Sequence, residues 1–304
     1  REQVEPYLPH LENFIEYLVN SKKNPADITR ADNQTTNILS NKIGRYNECF
    51  GQYPTAEKYY LLCVNICEKI YGDNHQQTAG SYNNLGAVYD SQGDYPKAEE
   101  NHLNALRIHL NILGENHPST AMSYNNLGNV YYSQGDYPKA EENHLNALRI
   151  HLNIFDENHL DAAMSYNNLG LVYDAQGDYP KAEENYLNAL RIHLNILGEN
   201  HPSTASSYNN LGAVYRSQGD YPKAEENHLN ALRIRLNILG ENHPDTATSY
   251  NNLGNVYENQ ENLEQAGSNF EKALSIWKRF LPEQHPYIQI AKRNLERVRG
   301  KLGK

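Results

Sequence analysis

Histidine is the residue type in this sequence with the greatest capacity for chemistry. The chain contains 13 histidines, and imidazole serves proteins as a metal ligand and as a proton carrier. His102 and His109 are seven residues apart, which is too long for two ligands of one ion on a single helix. The carboxylates or thiols that would complete such a site are missing from their surroundings in the sequence. We therefore predict no metal site and interpret the following as helix-contact residues with a satisfied ring nitrogen: His102, His109, His144, His151, His193 and His228.

Cysteine and serine patterns do not indicate catalysis either. Cys63 and Cys67 are one helical turn apart but lack the companion Cys or His residues of a zinc site, so we expect buried thiols. An odd number of cysteines, three in all, makes no disulfide framework and predicts a reducing, cytoplasmic location. The sequence has no phosphate-binding loop and no Ser/Cys–His–Asp arrangement. We predict that the protein is not an enzyme and uses no cofactor or small-molecule substrate.

Side-chain amides offer a different kind of chemistry, because they recur at a fixed spacing. The string SYNNLG starts at Ser81, Ser123, Ser165, Ser207 and Ser249, always 42 residues apart. An asparagine side chain presents one acceptor and two donors. A row of them can pair with the backbone of an extended polypeptide whatever its sequence. This predicts a peptide-binding row made of Asn84, Asn126, Asn168, Asn210 and Asn252.

The 42-residue period also organises the chain. A period of this size is typical of stacked units that cannot bury their apolar faces alone. We predict capping and linker helices over residues 1–38, with an amphipathic helix over residues 8–19, and a C-terminal capping helix over residues 291–304. Between them we place six repeats of 42 residues, namely 39–80, 81–122, 123–164, 165–206, 207–248 and 249–290.

Each repeat carries the signals of two antiparallel helices. Tyr82, Leu85 and Tyr89 form one apolar stripe of a first helix. The helix stops at a turn where Gly93 can adopt positive φ, and Asp94 can cap the second helix. Glycine ends that second helix, and a connector containing histidine follows. We expect these connector histidines to act as caps: His75, His117, His159, His201, His243 and His285.

The remaining face of each first helix, opposite the apolar stripe, is here called the amide face. At about 100° per residue it holds the peptide-binding row, with Asn83 and its counterparts at one rim. We expect these side chains to lie outside the helix contacts. From the residue before SYNNLG to the end of the first helix, the four most similar repeats differ only at positions that project to this face. The surface around Glu99 and Glu100 on the second helix is constant. We predict that the amide face binds partners and that its variable positions select them: Asn129, Asn255, Asp90, Tyr132, Asp174, Arg216 and Glu258.

The charge balance excludes other partner classes. The formal net charge is -10, which disfavours binding to phosphate backbones, so we predict no nucleic-acid partner. No apolar run reaches the roughly 20 residues that span a bilayer, so we predict no membrane insertion. Residues 271–304 are basic, with nine Lys or Arg and three acidic residues, and we interpret them as a solvated cap.

The residues Tyr82, Leu85, Gly86, Tyr89, Ala98 and Ala105 resemble the tetratricopeptide repeat at matching spacing. The 42-residue length and the LGENHP connector are similar to the long variant of kinesin light chains and of STAND-class signalling ATPases. The resemblance implies an all-α, right-handed superhelical solenoid of antiparallel helix hairpins whose concave groove is the amide face. It implies a protein-interaction scaffold, either a light-chain-like cargo adaptor or the sensor arm of a larger ATPase.

Overall fold

In the computed structural model, which describes His10, Asn13 and residues 30–303, every regular element is an α-helix. The predicted helix over residues 8–19 lies outside the described residues except for those two positions. The thirteen helices within residues 30–303 are α1 (Arg30–Cys49), α2 (Tyr53–Tyr71), α3 (Gln76–Gln92), α4 (Tyr95–Leu113), α5 (Pro118–Gln134), α6 (Tyr137–Ile154), α7 (Leu160–Gln176), α8 (Tyr179–Leu197), α9 (Pro202–Gln218), α10 (Tyr221–Leu239), α11 (Pro244–Asn259), α12 (Leu263–Trp277) and α13 (Pro286–Lys301).

The chain divides into two compact units, residues 1–154 and residues 155–304. In the first unit α1 pairs with α2, α3 with α4 and α5 with α6, and each hairpin packs on the next. In the second unit the hairpins are α7–α8, α9–α10 and α11–α12, followed by α13, which packs on α12. The odd-numbered helices from α3 to α11 are the predicted first helices. The expected all-α arrangement of antiparallel hairpins is confirmed.

The turn inside each hairpin forms as the sequence predicts. Gly93 adopts a left-handed conformation with φ of 77°, which a residue without Cβ tolerates best. The backbone N–H of Asp94 then donates to Tyr89 O at 2.8 Å and closes the end of α3. The Asp94 side chain accepts from the backbone N–H of Lys97 and caps α4. One Gly-Asp pair therefore ends the first helix and starts the second.

The connector histidines cap the first helices, as expected. In His117, the ring atom Nδ1 accepts the backbone N–H of Ser119 at 3.1 Å. The same bond, at 3.1–3.2 Å, is made by His75, His159, His201, His243 and His285. A ring nitrogen that accepts a hydrogen bond is deprotonated, so these caps are formed by neutral histidine.

A glycine against a ring sets the distance between the two helices of each hairpin. A Cβ atom added to Gly170 would lie 2.6 Å from Cε1 of Tyr186, which is 1% exposed. The other five hairpins repeat this contact, with the pairs Gly44–Tyr60, Gly86–His102, Gly128–His144, Gly212–His228 and Gly254–Phe270. The rings differ, but each fills the space that a side chain on the first helix would occupy.

The second-helix histidines that face these glycines are buried, and two have a bonded ring nitrogen. His102 Nδ1 and His144 Nδ1 each lie 3.1 Å from the Oδ1 atom of the asparagine nineteen residues earlier, Asn83 and Asn125. Burial lowers the pKa of His102, of His144 and of His228 to about 4. His109 pairs with Ser123 Oγ at 2.8 Å, and burial lowers its pKa as well. The interpretation as helix-contact histidines with a bonded ring nitrogen is confirmed for His102, His109, His144 and His193, whose Nδ1 lies 2.8 Å from Ser207 Oγ. Nδ1 of His228 has no partner.

Two cysteines of α2 pack in the core. Cys63 and Cys67 are fully buried, as expected, and burial raises the pKa of the Cys63 thiol to about 12.

The glycine–ring contact is not repeated at α13. Glu296 of α13 occupies the position that is Gly254 in α11, and its side chain is exposed. Within residues 30–303 no second helix packs against α13 at that point, so a charged residue is tolerated there.

Replacing Gly170 by alanine is expected to lower the free energy of unfolding by about 1–3 kcal/mol, because the new methyl group overlaps the buried Tyr186 ring. The matched control is Gly80→Ala, since nothing lies within 4 Å of a Cβ at that helical position. Its higher helix propensity should leave stability unchanged or raise it by up to about 1 kcal/mol. Urea unfolding followed by circular dichroism measures both. Equal effects of the two substitutions would show that the ring contact does not set the helix spacing.

Stability is expected to fall as the pH drops below about 6.5, the pKa of histidine in an unfolded chain. The buried histidines have folded pKa values of about 4, so the unfolded state binds more protons between these two pH values. Their contribution is complete above pH 6.5 and is lost toward pH 4, at roughly 1–2 kcal/mol per histidine by pH 5. Melting curves between pH 7.5 and 5 test this. The variant His228→Tyr, which introduces the tyrosine that α8 has at this position, should show a smaller pH dependence. A melting temperature of the parent chain that does not change with pH would contradict the burial of these rings.

The candidate partner-binding face

The five asparagines of the predicted row occupy equivalent places on their helices. Asn84, Asn126, Asn168, Asn210 and Asn252 lie on α3, α5, α7, α9 and α11, and all five are half-buried. They sit next to the fully buried leucines of the SYNNLG segments, for example Leu127 beside Asn126. Each amide is therefore anchored at the edge of the core while part of its polar surface faces solvent.

The row is also joined from repeat to repeat. Asn210 Nδ2 donates to Asn167 Oδ1 at 2.8 Å, and Asn252 Nδ2 donates to Asn209 Oδ1 at 2.8 Å. In the first unit Asn126 Nδ2 donates to Asn83 Oδ1 at 3.4 Å. The expectation that these side chains lie outside the helix contacts is wrong. The second asparagine of one repeat bonds the first asparagine of the repeat before it, so the row contributes to stacking.

The first asparagines are not at an exposed rim in the first unit. Asn83 is 6% exposed and Asn125 is 4% exposed. Asn83 Oδ1 accepts from His102 within its own repeat and from Asn126 of the next. One buried amide oxygen thus links the core ring of a hairpin to a half-exposed amide on the neighbouring first helix. Asn83 therefore connects the buried His102 ring to the half-exposed amide of Asn126.

The variable positions are accessible to different degrees. Asn129 and Tyr132 on α5 are exposed, and the Tyr132 ring lies 5.7 Å from the Tyr137 ring. The half-buried members of the set are Asp90, Asp174, Arg216 and Asn255. By helical angle, these positions lie beside the asparagines of the amide row on the same first helices. The peptide-binding role of this set stays a prediction.

Burial changes the electrostatics of the two aspartates. It raises the pKa of the Asp90 carboxyl and that of the Asp174 carboxyl. For Asp174 the guanidinium of Arg216 acts in the opposite direction and lowers the pKa. Removing part of the hydration of a carboxylate is unfavourable unless a partner replaces it. A cationic or hydrogen-bond-donating group beside Asp90 would offset that cost.

Glu258 differs from the other variable residues because α13 covers it. It is 8% exposed, and Arg297 contacts it through Nε at 2.7 Å and Nη2 at 2.6 Å. Lys301 Nζ adds a contact of 2.8 Å to Oε1. The hydrogen bond from Arg297 is the largest factor that lowers the pKa of Glu258. Sequence reasoning placed Glu258 on the amide face, but two cations of the C-terminal helix already occupy it.

An open cleft of about 630 Å³ lies on the amide face of the second unit. Its wall is formed by Leu160 and Met164 of α7 and by Leu197 at the end of α8, with the Asn167–Asn210 pair and Ser206 of α9 beside them. Met164 is 47% exposed. The cleft combines an apolar wall with a hydrogen-bonded amide pair, which is the usual composition of a binding site.

The surface of the second helices has structural roles that sequence reasoning missed. Glu99 Oε1 accepts from the Tyr131 hydroxyl of the next repeat at 2.8 Å. Lys97 Nζ lies 4.9 Å above the Tyr89 ring and forms an ion pair with Asp94. The constancy of Lys97 and Glu99 among the repeats therefore has a packing cause, whereas the Glu100 side chain is exposed. This contact had a signal in the sequence, because a glutamate and a tyrosine recur 32 residues apart in successive repeats, as Glu99 and Tyr131 do.

Two further classes of site are absent from the described residues. In that part of the chain no three His, Cys, Asp or Glu side chains come close enough together to hold a metal ion. Over the same residues no helix combines the length and apolar character that crossing a membrane requires.

Comparison with known proteins gives one family. The model of the tetratricopeptide repeat matches residues 34–102, 91–153, 121–193, 161–237, 203–279 and 245–304. These overlapping matches extend over nearly the whole described chain. No curated protein matches the sequence.

Several solved structures have a similar fold. BtubC (BKLC) from P. vanneervenii matches with a TM-score of 0.62 and 23% identity, over 86% of this chain and 96% of that one. A Podosopora anserina protein described as a kinesin light chain with nearly identical TPR-like repeats gives 0.60 and 23%, over 68% and 99%. The APC/C hetero-tetramer Cut9-Hcn1 gives 0.60 and 17%, over 96% and 46%.

At these identities the structural likeness shows the fold alone. The repeat model, by contrast, matches along the sequence itself, and its overlapping matches together cover the helical hairpins. The chain therefore belongs to the tetratricopeptide repeat family, as an all-α solenoid of the kind used as a protein-interaction scaffold.

Proposed function

We propose that the amide face binds a segment of a partner polypeptide. The observation that supports this most is the hydrogen-bond state of the amide row. Asn210 and Asn252 each use one N–H on a neighbouring repeat. Each half-buried side chain keeps a second N–H and a carbonyl oxygen. These are the groups needed to pair with the N–H and C=O of a bound backbone.

The bond between repeats also prepares the row for binding. Asn210 Nδ2 is held by Asn167 at 2.8 Å before any partner arrives. A side chain that is already oriented loses less conformational entropy on binding. The row supplies general affinity for a backbone, and the variable positions discriminate between side chains. Tyr132 offers an aromatic surface, Leu171 an apolar one, and Asp90 an acidic one.

The charges favour a neutral or basic partner segment. Glu258 is neutralised by Arg297 and Lys301, so Asp90 and Asp174 remain as the acidic members of the set, with Arg216 as the cation. We expect no nucleic acid on an acidic chain and assign the scaffold neither a substrate nor a catalytic step. The cytoplasmic location stays a prediction that rests on the free cysteines Cys49, Cys63 and Cys67.

Two narrower roles remain proposals, and neighbouring sequence in the full-length gene separates them. A nucleotide-binding module ahead of the repeats would support a sensor arm of a STAND-type ATPase. A heptad coiled coil in that place would support a light-chain-like cargo adaptor. In both roles the amide face is the surface that engages the partner.

A photo-crosslinking amino acid at position 129 tests the proposed face directly. The ligand is a peptide selected from a displayed random library against the whole chain. Asn129 is exposed on the amide face of α5, so a crosslinker there should capture the peptide. The control is the same amino acid at Glu100 of α4, which is exposed on the other side of a hairpin. Capture from position 100 and not from position 129 would place the binding surface on the second helices.

Alanine substitutions in the row should affect both binding and stability. Asn210→Ala and Asn252→Ala each remove a hydrogen bond between repeats, so we expect unfolding free energies lower by about 0.5–1.5 kcal/mol. Binding of the selected peptide should weaken as well. Asn129→Ala is the matched comparison, because that side chain is exposed: binding should weaken while the melting temperature stays constant. Unchanged peptide affinity in all three variants would remove the amide row from the site.

A further inference from the structure

One first helix, α7, carries an apolar row on its amide face. Where the residues project from that face, α7 has Met164, Leu171 and Ala175. The other first helices are more polar at the same three positions, which read Gly80, Ala87 and Ser91 in α3, Met122, Asn129 and Ser133 in α5, Ser206, Ala213 and Ser217 in α9, and Thr248, Asn255 and Asn259 in α11. Because the repeats are otherwise nearly identical, these coordinated differences distinguish α7 from its copies.

The row is exposed although α7 is already packed on its other side. Leu169, Val172 and Tyr173 are buried in the repeat core, while Met164 and Leu171 are 47% and 37% exposed. Leu160, at the start of α7, is 37% exposed and stands where α5, α9 and α11 begin with proline. A helix that is apolar on two sides is expected to have two packing partners. Clustered apolar surface on a folded protein marks an interaction site.

The spacing of the row identifies the shape of its partner. Met164, Asn168, Leu171 and Ala175 follow one another at intervals of four, three and four residues. This is the heptad spacing of a helix that packs along another helix. A rise of about 1.5 Å per residue gives the row a length of about 16 Å, or three turns. Asn168 is the single polar residue within it, and one amide at such a position selects register and partner.

The cleft beside the row gives the partner an anchor point. Its apolar wall of Leu160, Met164 and Leu197 is continuous with the N-terminal end of the row. The flanking charges on α7 are acidic, with Asp161 at the start of the helix and Asp174 near its end. Arg216 of α9 is a cation close to the row and acts on Asp174. Basic residues at the edges of a partner helix would complement this surface.

We propose that α7 binds an amphipathic helix of a partner protein, with apolar residues at heptad spacing, one amide side chain opposite Asn168 and basic residues at its edges. The proposal rests on the proposed function, because it names the ligand class of the same face. A second copy of this chain could also offer such a row from its own α7. In such a pair of α7 helices, Asp161 and Asp174 of one copy would face the same aspartates of the other copy and repel them. The charge pattern therefore favours a partner with basic residues.

A designed peptide tests the proposal on the whole chain. The probe is a fluorescein-labelled helix of about three heptads with leucine at the apolar positions, one central asparagine and lysine at the edges. Fluorescence anisotropy at about 0.15 M salt measures its affinity. The variant Met164→Ser/Leu171→Asn/Ala175→Ser places residues of α9 and α5 in α7, and we expect it to bind at least about tenfold more weakly. Leu187→Asn on α8 removes a leucine that is 44% exposed and should bind like the parent chain.

A reciprocal transfer controls for folding defects. In the triple variant, five substitutions build the apolar row and its acidic flanks on α9, namely Ser206→Met, Ala213→Leu, Ser217→Ala, Ser203→Asp and Arg216→Asp, and binding of the probe should return. A scrambled peptide of the same composition should not bind. The proposal would be overturned by any of three results. Leu187→Asn could lose as much affinity for the probe as the triple variant does, the scrambled peptide could bind as tightly as the probe, or the triple variant could keep full affinity. Light scattering that shows a dimer of the parent chain and a monomer of the triple variant would assign the row to a second copy instead.

The outcome also separates this inference from the proposed function. If the triple variant binds the designed probe as the parent chain does, while position 129 captures the library-selected peptide, the amide face is a binding surface and only the role of α7 is wrong. If position 129 captures no selected peptide and the triple variant binds the probe as the parent does, both proposals fail.

Discussion

The contact between a helix glycine and a ring on the returning helix is the constraint on which the rest of the structure depends. At Gly128 an added Cβ would lie 2.6 Å from a ring atom of His144. No other side chain permits the two helices to approach so closely. Because the contact recurs in every hairpin, it fixes which side of each first helix is buried. The amide face is what remains on the other side.

Polar residues between the repeats complete the packing that the glycines begin. The Asn83 amide oxygen accepts from His102 in its own hairpin and from Asn126 in the next. The Tyr131 hydroxyl donates to Glu99 of the preceding repeat. A buried polar group stabilises a fold when its partners are present and is costly when they are missing. The stacking of repeats is therefore specified by hydrogen bonds as well as by apolar contacts, and the surface amides share in that specification.

The sequence predicted those features whose cause is local. The turn at Gly93, the cap at Asp94 and the histidine caps depend on residues two to five positions apart, and all are present. The hydrogen bond from Asn210 to Asn167 spans 43 residues and depends on how two hairpins stack. Helical angle alone separates faces of an isolated helix, so it misplaced Asn83 at a rim and did not reveal that Arg297 and Lys301 reach Glu258. The membership of the amide face was predictable, whereas the bonds its residues already make were not.

Nearly identical repeats act as controls for one another, once the packing cause of each constant position is known. Glu99 is constant because it receives a tyrosine hydroxyl, and Lys97 because it pairs with Asp94 beside the Tyr89 ring. Because packing keeps these positions constant, they do not show how fast unconstrained positions change. Variation on the amide face is therefore not by itself a sign of selection for binding. Coordinated change is more informative. In α7 three separate positions on the solvent side are apolar, where each exposed apolar group is unfavourable for the isolated chain. A partner that covers them removes that cost, and this links the substitutions to binding.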